Sequence, residues 1–591
     1  MRRAMTLLLV GIPVGGAGAE LPPIAREISA TEIAKTLDAL NYDRTSGKEG
    51  ERKGALVLEE KLRAYGVKYV RHEMRAYLSW PGQASLEAVA PEAFTLRAIT
   101  HAFAAKTPPE GVTAEVLFLP RTAEDDQTPL GADARGRIVV AQGLISPESA
   151  WRSQQAGAIG LVHVNDTDIL HEMITTTIWG TPTATSAARI PAIPVVSIGK
   201  SDGERLRAVA AKGPLKLRIK AEVAQGWTTI PLVVAEVPGR TADFALVATH
   251  LDAWYAGMTD TAGTVASILE MARVLQKHAG ELERGVRFAW WPGHSFGRYA
   301  GSTWFADRFW ADLDEHCVAY TNLDGSGRRG SQMDRVYAGA WPGIAEWSRE
   351  YATTLTGKEP EGQGAGLFRP NRDSDSAFQG LGIPELTIGV PGPPDGHPDV
   401  EPSGLIAYWH TAKDTLDKLD LKALELDTQY RVAELHSLVT RPALPLRLGP
   451  LVNAYAGAVA ALAQVAGASF DFASTQEAIA DLGVAAVRLD AAPPPTRAEA
   501  LGARNRLLVR LTHRLNARLY TKAGRFDQDP AVTLPILPLL ARAPELRALP
   551  ADGDARGFLE AELIRGRNAV EETLREASRE AEHFLATEAR P

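Results

Sequence analysis

One cysteine among 591 residues, Cys317, excludes any disulfide within the chain, so stability has to come from packed cores. It lies in the apolar run Cys317-Val318-Ala319-Tyr320, which reads as a buried thiol rather than a nucleophile. Neither sign of charge is in large excess. Lys and Arg number 64 against 72 Asp and Glu, for a net −8 and a pI near 6.0. That balance gives no basic footprint for nucleic acid and no attraction to an acidic membrane. An apolar run of the ~20 residues that a membrane-spanning helix needs is also missing. The Ala-rich stretch 452–465 comes nearest, and Asn453 and Gln464 interrupt it. No repeat of 20–50 residues and no low-complexity segment is present. What remains is the composition of a globular protein, 45% hydrophobic and 23% charged, long enough for about three domains.

The first residues read as an export signal. Arg2 and Arg3 precede the apolar run Met5–Val10, and Ala17-Gly18-Ala19 offers a small-residue cleavage pattern. The expectation is a signal peptide over residues 1–19 and an exported chain, periplasmic or secreted, that begins near Glu20. A membrane anchor is the alternative. Residues 30–66 predict two helices around the polar, Gly-rich loop Asp43–Gly50, followed by strands near 67–73 and 85–89. From 90 to 226, short β runs such as Ile138–Ala141, Ile159–Val164 and Val195–Ile198 alternate with Gly, Pro and Ser, as an inserted β-rich domain would. From 230, strand and helix alternate, which is the pattern of an α/β fold with a mostly parallel sheet covered by helices. Its strands are predicted at 244–249, 286–291, 318–323 and 386–390, with a helix over 264–278. After Pro442 and Pro445 the chain reads as helical, with a linker at Pro493-Pro494-Pro495. The row Arg506, Arg510, Arg514 and Arg518 beside the stripe Leu508, Leu511, Leu515 and Leu519 reads as a solvated basic face, or as an interface with acidic residues of another subunit.

His250 and Asp324 end predicted strands, and Gly293-His294-Ser295 follows a third. Ligands of open α/β sheets bind beyond the carboxyl ends of strands, so these positions can meet in one crevice. Asp260 falls in the loop before the next helix. Imidazoles and carboxylates so placed make an N/O-rich set suited to zinc.

The segments Thr249-His250-Leu251-Asp252-Ala253-Trp254, Asp260-Thr261-Ala262-Gly263, Asn322-Leu323-Asp324 and Trp409-His410-Thr411 resemble the metal motifs of the co-catalytic zinc aminopeptidases, in particular the glutamate carboxypeptidase and transferrin receptor branch. Residues 90–226 resemble that branch's protease-associated (apical) domain, and residues 446–591 its helical dimerisation domain. The resemblance implies a zinc peptidase-like domain over 20–89 plus 227–445 and a homodimer through the C-terminal helices. It implies His250 and Asp324 on one zinc, Asp260 bridging, His410 on a second zinc, and Asp252 orienting His250.

The chain departs from that pattern at one point. Two adjacent glutamates, a general base and a zinc ligand, are expected where His294 and Ser295 stand. With only Asp260 and Asp324 as carboxylate ligands, the expectation is one firmly bound Zn(2+) at His250, Asp260 and Asp324, and a weaker or empty second position near His410, with Ser295 as a weak ligand. Three readings of His294 stay open: general base, metal ligand, or idle position. A metal-free Ser295–His410 pair is a further alternative. Trp254, Tyr255, Trp409 and Thr175–Thr177 are candidates to line a cleft, with core packing as the other explanation of the aromatic residues. No arginines of the glutamate-binding kind follow Gly382-Ile383-Pro384, so a glutamate-selective pocket is not expected. The function this predicts is a metallopeptidase-like hydrolase of peptide or other amide bonds with an atypical site. The alternative is a non-catalytic binding or scaffold protein on the same fold.

Overall fold

The computed structural model describes residues 20–121, 126–362 and 375–587; the expected signal peptide, residues 1–19, lies outside them. Eleven strands join in one mixed sheet. Its functional part is the parallel trio Cys317–Asn322, Phe244–His250 and Gly285–Trp291, in that spatial order. The third of these pairs antiparallel with Lys216–Val237, which pairs in turn with Lys68–Ala90.

These two long strands carry the sheet out of the α/β part into the segment 90–226. There Val112–Phe118, Ile138–Gln142, Gly160–Val164 and Val195–Ile198 form a second parallel run. The strand Lys216–Val237 passes without interruption through the expected boundary at 226. The break predicted between strands at 67–73 and 85–89 is absent. A single 23-residue strand absorbs Pro81 and Gly82 at a register shift between Pro81 and Ala84. A bulge tolerates proline because it already interrupts the ladder.

Alternation within the buried strands sets the two core faces. In Gly285–Trp291, Phe288 and Trp290 pack toward helix Gly263–Lys277, while Ala289 and Trp291 pack toward Ala300 and Phe305 of helix Ala300–His316. Both faces are covered, so the strand reads as an apolar run broken only by Arg287, which pairs with Asp312. The parallel register places Trp291 beside His250 and Asn322 beside Ala248. All three strands therefore end at one edge, and the loops that leave them share a crevice.

Helices Gly449–Ala466, Ala473–Ala491, Ala498–Tyr520 and Asp554–Thr587 form the C-terminal part and share a core with the α/β layer. Gly449–Ser469 is long and apolar enough to cross a membrane by length and composition, with 39% of that window buried in this fold. Much of the arginine row finds its acidic partners inside the chain. Arg510 and Arg514 both bind Glu580, at 2.8 and 2.6 Å, so an acidic partner subunit is not needed to account for them.

Trp290 is fully buried, whereas Leu56 is 54% exposed on helix Glu49–Ala64. Trp290→Ala is expected to cost about 3–5 kcal/mol in a denaturant titration, as large aromatic truncations in a core do. Leu56→Ala is expected to stay within about 0.5 kcal/mol. Similar losses for the two variants would contradict this placement of the core.

Candidate functional site

Arg44, in the loop called only polar and Gly-rich from sequence, is fully buried and holds the loop that follows His250. Its guanidinium donates to the carbonyls of Leu40, Leu251, Ala256 and Gly257 at 2.6–3.1 Å. Four carbonyls around a rigid donor fork fix the path of residues 251–257. Gly257 closes that path with φ +46°, where a Cβ would stand 2.3 Å from the carbonyl oxygen of Asp260. The next turn is capped by Asp414, which accepts from the N–H groups of Thr259 and Asp260 at 2.9 and 3.0 Å. Burial raises the Asp414 carboxyl to about 6, against those hydrogen bonds.

Asp260 is thereby aimed between two imidazoles. Its Oδ1 lies 3.1 Å from His250 Nε2 and its Oδ2 lies 3.1 Å from His410 Nε2. Asp324 Oδ1 stands 3.2 Å from the same His250 nitrogen. The other nitrogen of each ring donates to a main-chain carbonyl: His250 Nδ1 to Asp252 at 2.7 Å, and His410 Nδ1 to Glu172 at 2.6 Å. Both rings so held present Nε2 to the carboxylates, the arrangement that metal-binding histidines use.

Charge explains the electrostatics. Burial alone would lower the His250 pKa, but Asp324 and Asp260 outweigh it and hold the imidazole well above its ordinary value. Burial likewise pushes Asp260 up, and hydrogen bonds from His250 and His410 bring it well below the carboxylate range. Desolvation raises Asp324 too, but the charge of His250 and then its hydrogen bond outweigh it, so this carboxyl is lowered as well. His410 is lowered, because burial exceeds the pull of Asp260. Buried carboxylates are costly without a compensating positive charge. Here it can be a proton on His250 or a divalent cation. Two donors on a tetrahedral zinc, each about 2.0–2.1 Å from the ion, stand ~3.4 Å apart. The pairs His250–Asp260 and Asp260–His410, at 3.1 Å, and His250–Asp324, at 3.2 Å, are each close to such a donor pair. The hydroxyl of Ser295, buried with no hydrogen-bond partner among the described residues, adds an unused oxygen.

Asp252 acts differently from the expectation. It meets His250 through its main-chain carbonyl only. Its carboxylate instead accepts from the N–H groups of His294 and Ser295 at 2.9 and 3.0 Å and from the Ser46 hydroxyl at 2.6 Å. A carboxylate at the first N–H groups of a helical turn is well placed, and this one fixes where His294 begins.

The His294 ring lies parallel to that of His250, with centroids 3.8 Å apart. Its Nδ1 is 2.6 Å from Asp375 Oδ2. Asp375 is 1% exposed, and its second oxygen accepts from Ser302 at 2.6 Å. One donor atom each from His250, His294 and Asp324 lie within 4.8 Å of one another. Asp375 went unread from sequence. It sits 81 residues after His294, and an aspartate among serines carries no local signal.

Among the cleft candidates, Trp409 stacks on His410 at 3.5 Å, and Trp254 packs between Phe296 and His410. Tyr255 donates to Glu172, a carboxyl that burial raises to about 7. Thr175 is turned inward to the carbonyl of Ala102 rather than toward a cleft. No hydrogen bond joins Ser295 to His410, whose two nitrogens are engaged elsewhere, so the metal-free pair is not assembled. The segment 90–226, through the carbonyl of Glu172, completes the orientation of His410, which sequence reasoning also missed.

Comparison with known proteins matches residues 233–432 to the model of Peptidase family M28. A probable glutamate carboxypeptidase VP8 from Zea mays is 24% identical over 325 residues, covering 45% of this chain and 45% of that protein. Carboxypeptidase Q from Bos taurus is 25% identical over 296 residues, covering 48% of this chain and 61% of that protein. The chain thus spans about half of the length of these relatives. Among solved structures, an aminopeptidase from Aneurinibacillus sp. strain AM-1 aligns with a TM-score of 0.53 at 21% identity, covering 71% of this chain and 96% of that one. A peptidase M28 precursor from Shewanella amazonensis SB2B aligns with a TM-score of 0.54 at 18% identity, covering 69% and 93%. These structural likenesses show a shared zinc exopeptidase-type fold. The segment that matches the Peptidase family M28 model holds His250, Asp252, Asp260, His294, Ser295, Asp324 and His410.

Proposed function

We propose that this protein is a zinc-dependent hydrolase of peptide or other amide bonds in which His294, held by Asp375, takes the proton-handling part expected of a glutamate. The observation that carries it is the 2.6 Å contact between His294 Nδ1 and a buried carboxylate. A hydrogen bond from Nδ1–H to Asp375 fixes the tautomer and leaves Nε2 with its lone pair, ready to accept a proton. His250, Asp260 and Asp324 would hold the zinc firmly. His410 with Asp260, and the Ser295 hydroxyl as a weak donor, would make a poorer second position. Bound there, zinc supplies Lewis acidity toward a carbonyl oxygen and lowers the pKa of water. The chain's own residues then orient: Asp252 sets the main chain of His294, Arg44 sets the loop of Asp260, and Glu172 sets His410.

A direct metal-ligand role for His294 is the second reading, favoured by the proximity of its ring nitrogen to donor atoms of His250 and Asp324. His294→Ala separates the two. Loss of kcat by roughly 10²–10⁴-fold with zinc affinity retained supports proton handling. A fall in zinc affinity of similar size supports ligation instead. Asp375→Asn is expected to lower kcat at unchanged zinc content, because an amide no longer selects the tautomer. Absence of turnover in the zinc-loaded wild type on aminoacyl and N-acyl amides would favour the binding-protein alternative.

Zinc should displace the proton that Asp324 and Asp260 keep on His250 above its usual pKa of about 6.5. At pH 7, calorimetry in two buffers of different ionisation enthalpy is expected to show about one proton released per zinc. Affinity is expected to weaken as pH falls from about 8 to 6. An affinity flat across that range would contradict the assignment.

We further infer a homodimer through the C-terminal helices, supported by Val484, Val487 and Phe558, which are 61%, 69% and 75% exposed. Val484 and Val487, three residues apart, share one face of helix Ala473–Ala491, and clustered apolar exposure of this kind marks interaction surfaces. Light scattering is expected to give twice the chain mass for the wild type and the chain mass for Val487→Glu. A monomeric wild type would contradict the inference.

A further inference from the structure

We propose a second ligand site, separate from the metal centre, that binds a phosphate-class oxyanion in the cleft between helix Ala498–Tyr520 and the turn 379–382. The cleft has a volume of about 330 Å³ and is walled by Arg510, Arg514, Arg518, Lys522 and Arg525, with Asp314 as its acidic member. Behind these cations Arg510 and Arg514 share Glu580, Lys522 pairs with Glu562 at 3.1 Å, and Arg525 pairs with Asp314. Arg518 makes no ion pair among the described residues, and its Nε donates only to the Thr573 hydroxyl at 3.3 Å.

A second, independent observation points into the same cleft. His513 lines it and is 2% exposed. Its Nδ1 stands 3.8 Å from Asp314, and its Nε2 has no hydrogen-bond partner among the described residues. A buried ring nitrogen without a partner is costly unless something meets it. Guanidinium forks match the edges of a tetrahedral oxyanion two hydrogen bonds at a time, and Arg518 is the cation left to meet one, since Arg514 also reaches Glu576 at 3.6 Å. The volume exceeds that of free phosphate, so a small phosphate ester fits the same place.

The cleft is also where the helical part meets the α/β part. Asn516 donates to the carbonyl of Gly382 at 3.2 Å, and a Cβ on Gly382 would lie 1.8 Å from the carbonyl oxygen of His513. An anion held by Arg518 and His513 would therefore tie helix Ala498–Tyr520 to the turn that follows Asp375–Phe378.

The test is calorimetric titration of inorganic phosphate, and separately of glycerol 3-phosphate, into the zinc-loaded full chain at constant ionic strength. Phosphate also meets zinc, so a His250→Ala variant is titrated in parallel to isolate the component that does not depend on the metal. That component is expected to persist in His250→Ala, to weaken roughly tenfold or more in Arg518→Gln and in Lys522→Gln, and to be unchanged in Arg488→Gln on a distant helix. Tighter binding of the ester than of phosphate would identify the ligand as an ester, and the reverse as the free ion. Two variants of the cleft keep the test sound if one of them unfolds. Absence of a metal-independent component, or equal weakening by Arg488→Gln, would overturn the site. So would a change in oligomeric mass with Arg518→Gln in place of any phosphate effect, because the cleft would then be covered by a second copy.

Discussion

The site depends on a single carboxylate placed between two imidazoles. Asp260 offers one oxygen to His250 and the other to His410, and each ring is locked from behind by a main-chain carbonyl. That geometry makes sense only around positive charge, since a carboxylate so buried is unstable alone. Most of what surrounds it serves to keep Asp260 there. Arg44 braces the approaching loop, Gly257 lets that loop pass close to the Asp260 carbonyl, and Asp414 caps the turn.

The substitution at His294 and Ser295 leaves one carboxylate where two were expected, and sets it back from the crevice. A glutamate at position 294 would put its charge at the crevice itself. Here an imidazole occupies that place, and a carboxylate, Asp375, lies one hydrogen bond behind it at 2.6 Å. Imidazole backed by a buried carboxylate can accept a proton and bear the resulting charge. Ser295, by contrast, brings no charge, and its hydroxyl stands without a partner among the described residues. The two positions of the altered pair are thus unequal in what they retain. The position facing His250 keeps a route for protons, and the other has lost a ligand.

Much of this was legible in the sequence because strand ends are local signals. The apolar runs that end at His250, Trp291 and just before Asp324 fix strands, and parallel pairing brings their ends together. His250, Asp324 and His294 could be named for that reason, whereas His410 was named only through the resemblance to the metal motifs and Asp260 as a loop residue before the next helix. What escaped was held by long-range contacts. Asp375 reaches His294 across 81 residues, Arg44 reaches the loop of Asp260 across more than 200, and the Glu172 carbonyl reaches His410 across 238. None of these has a periodicity or motif of its own. Asp252 was expected to orient His250, yet only its main-chain carbonyl meets that ring while its carboxylate meets the His294 N–H, a choice of side chain over main chain that spacing does not determine. The 23-residue strand through Pro81 was missed because proline ordinarily ends a strand, and only its antiparallel partner shows the bulge that accommodates it.

The most direct test of the central claim is anomalous diffraction at the zinc edge from crystals of the zinc-loaded protein. The account predicts a strong peak bounded by His250 Nε2, Asp260 and Asp324, with a weaker one or none between Asp260 and His410. A map with no anomalous peak among those side chains, at full zinc saturation of the crystals, would contradict it.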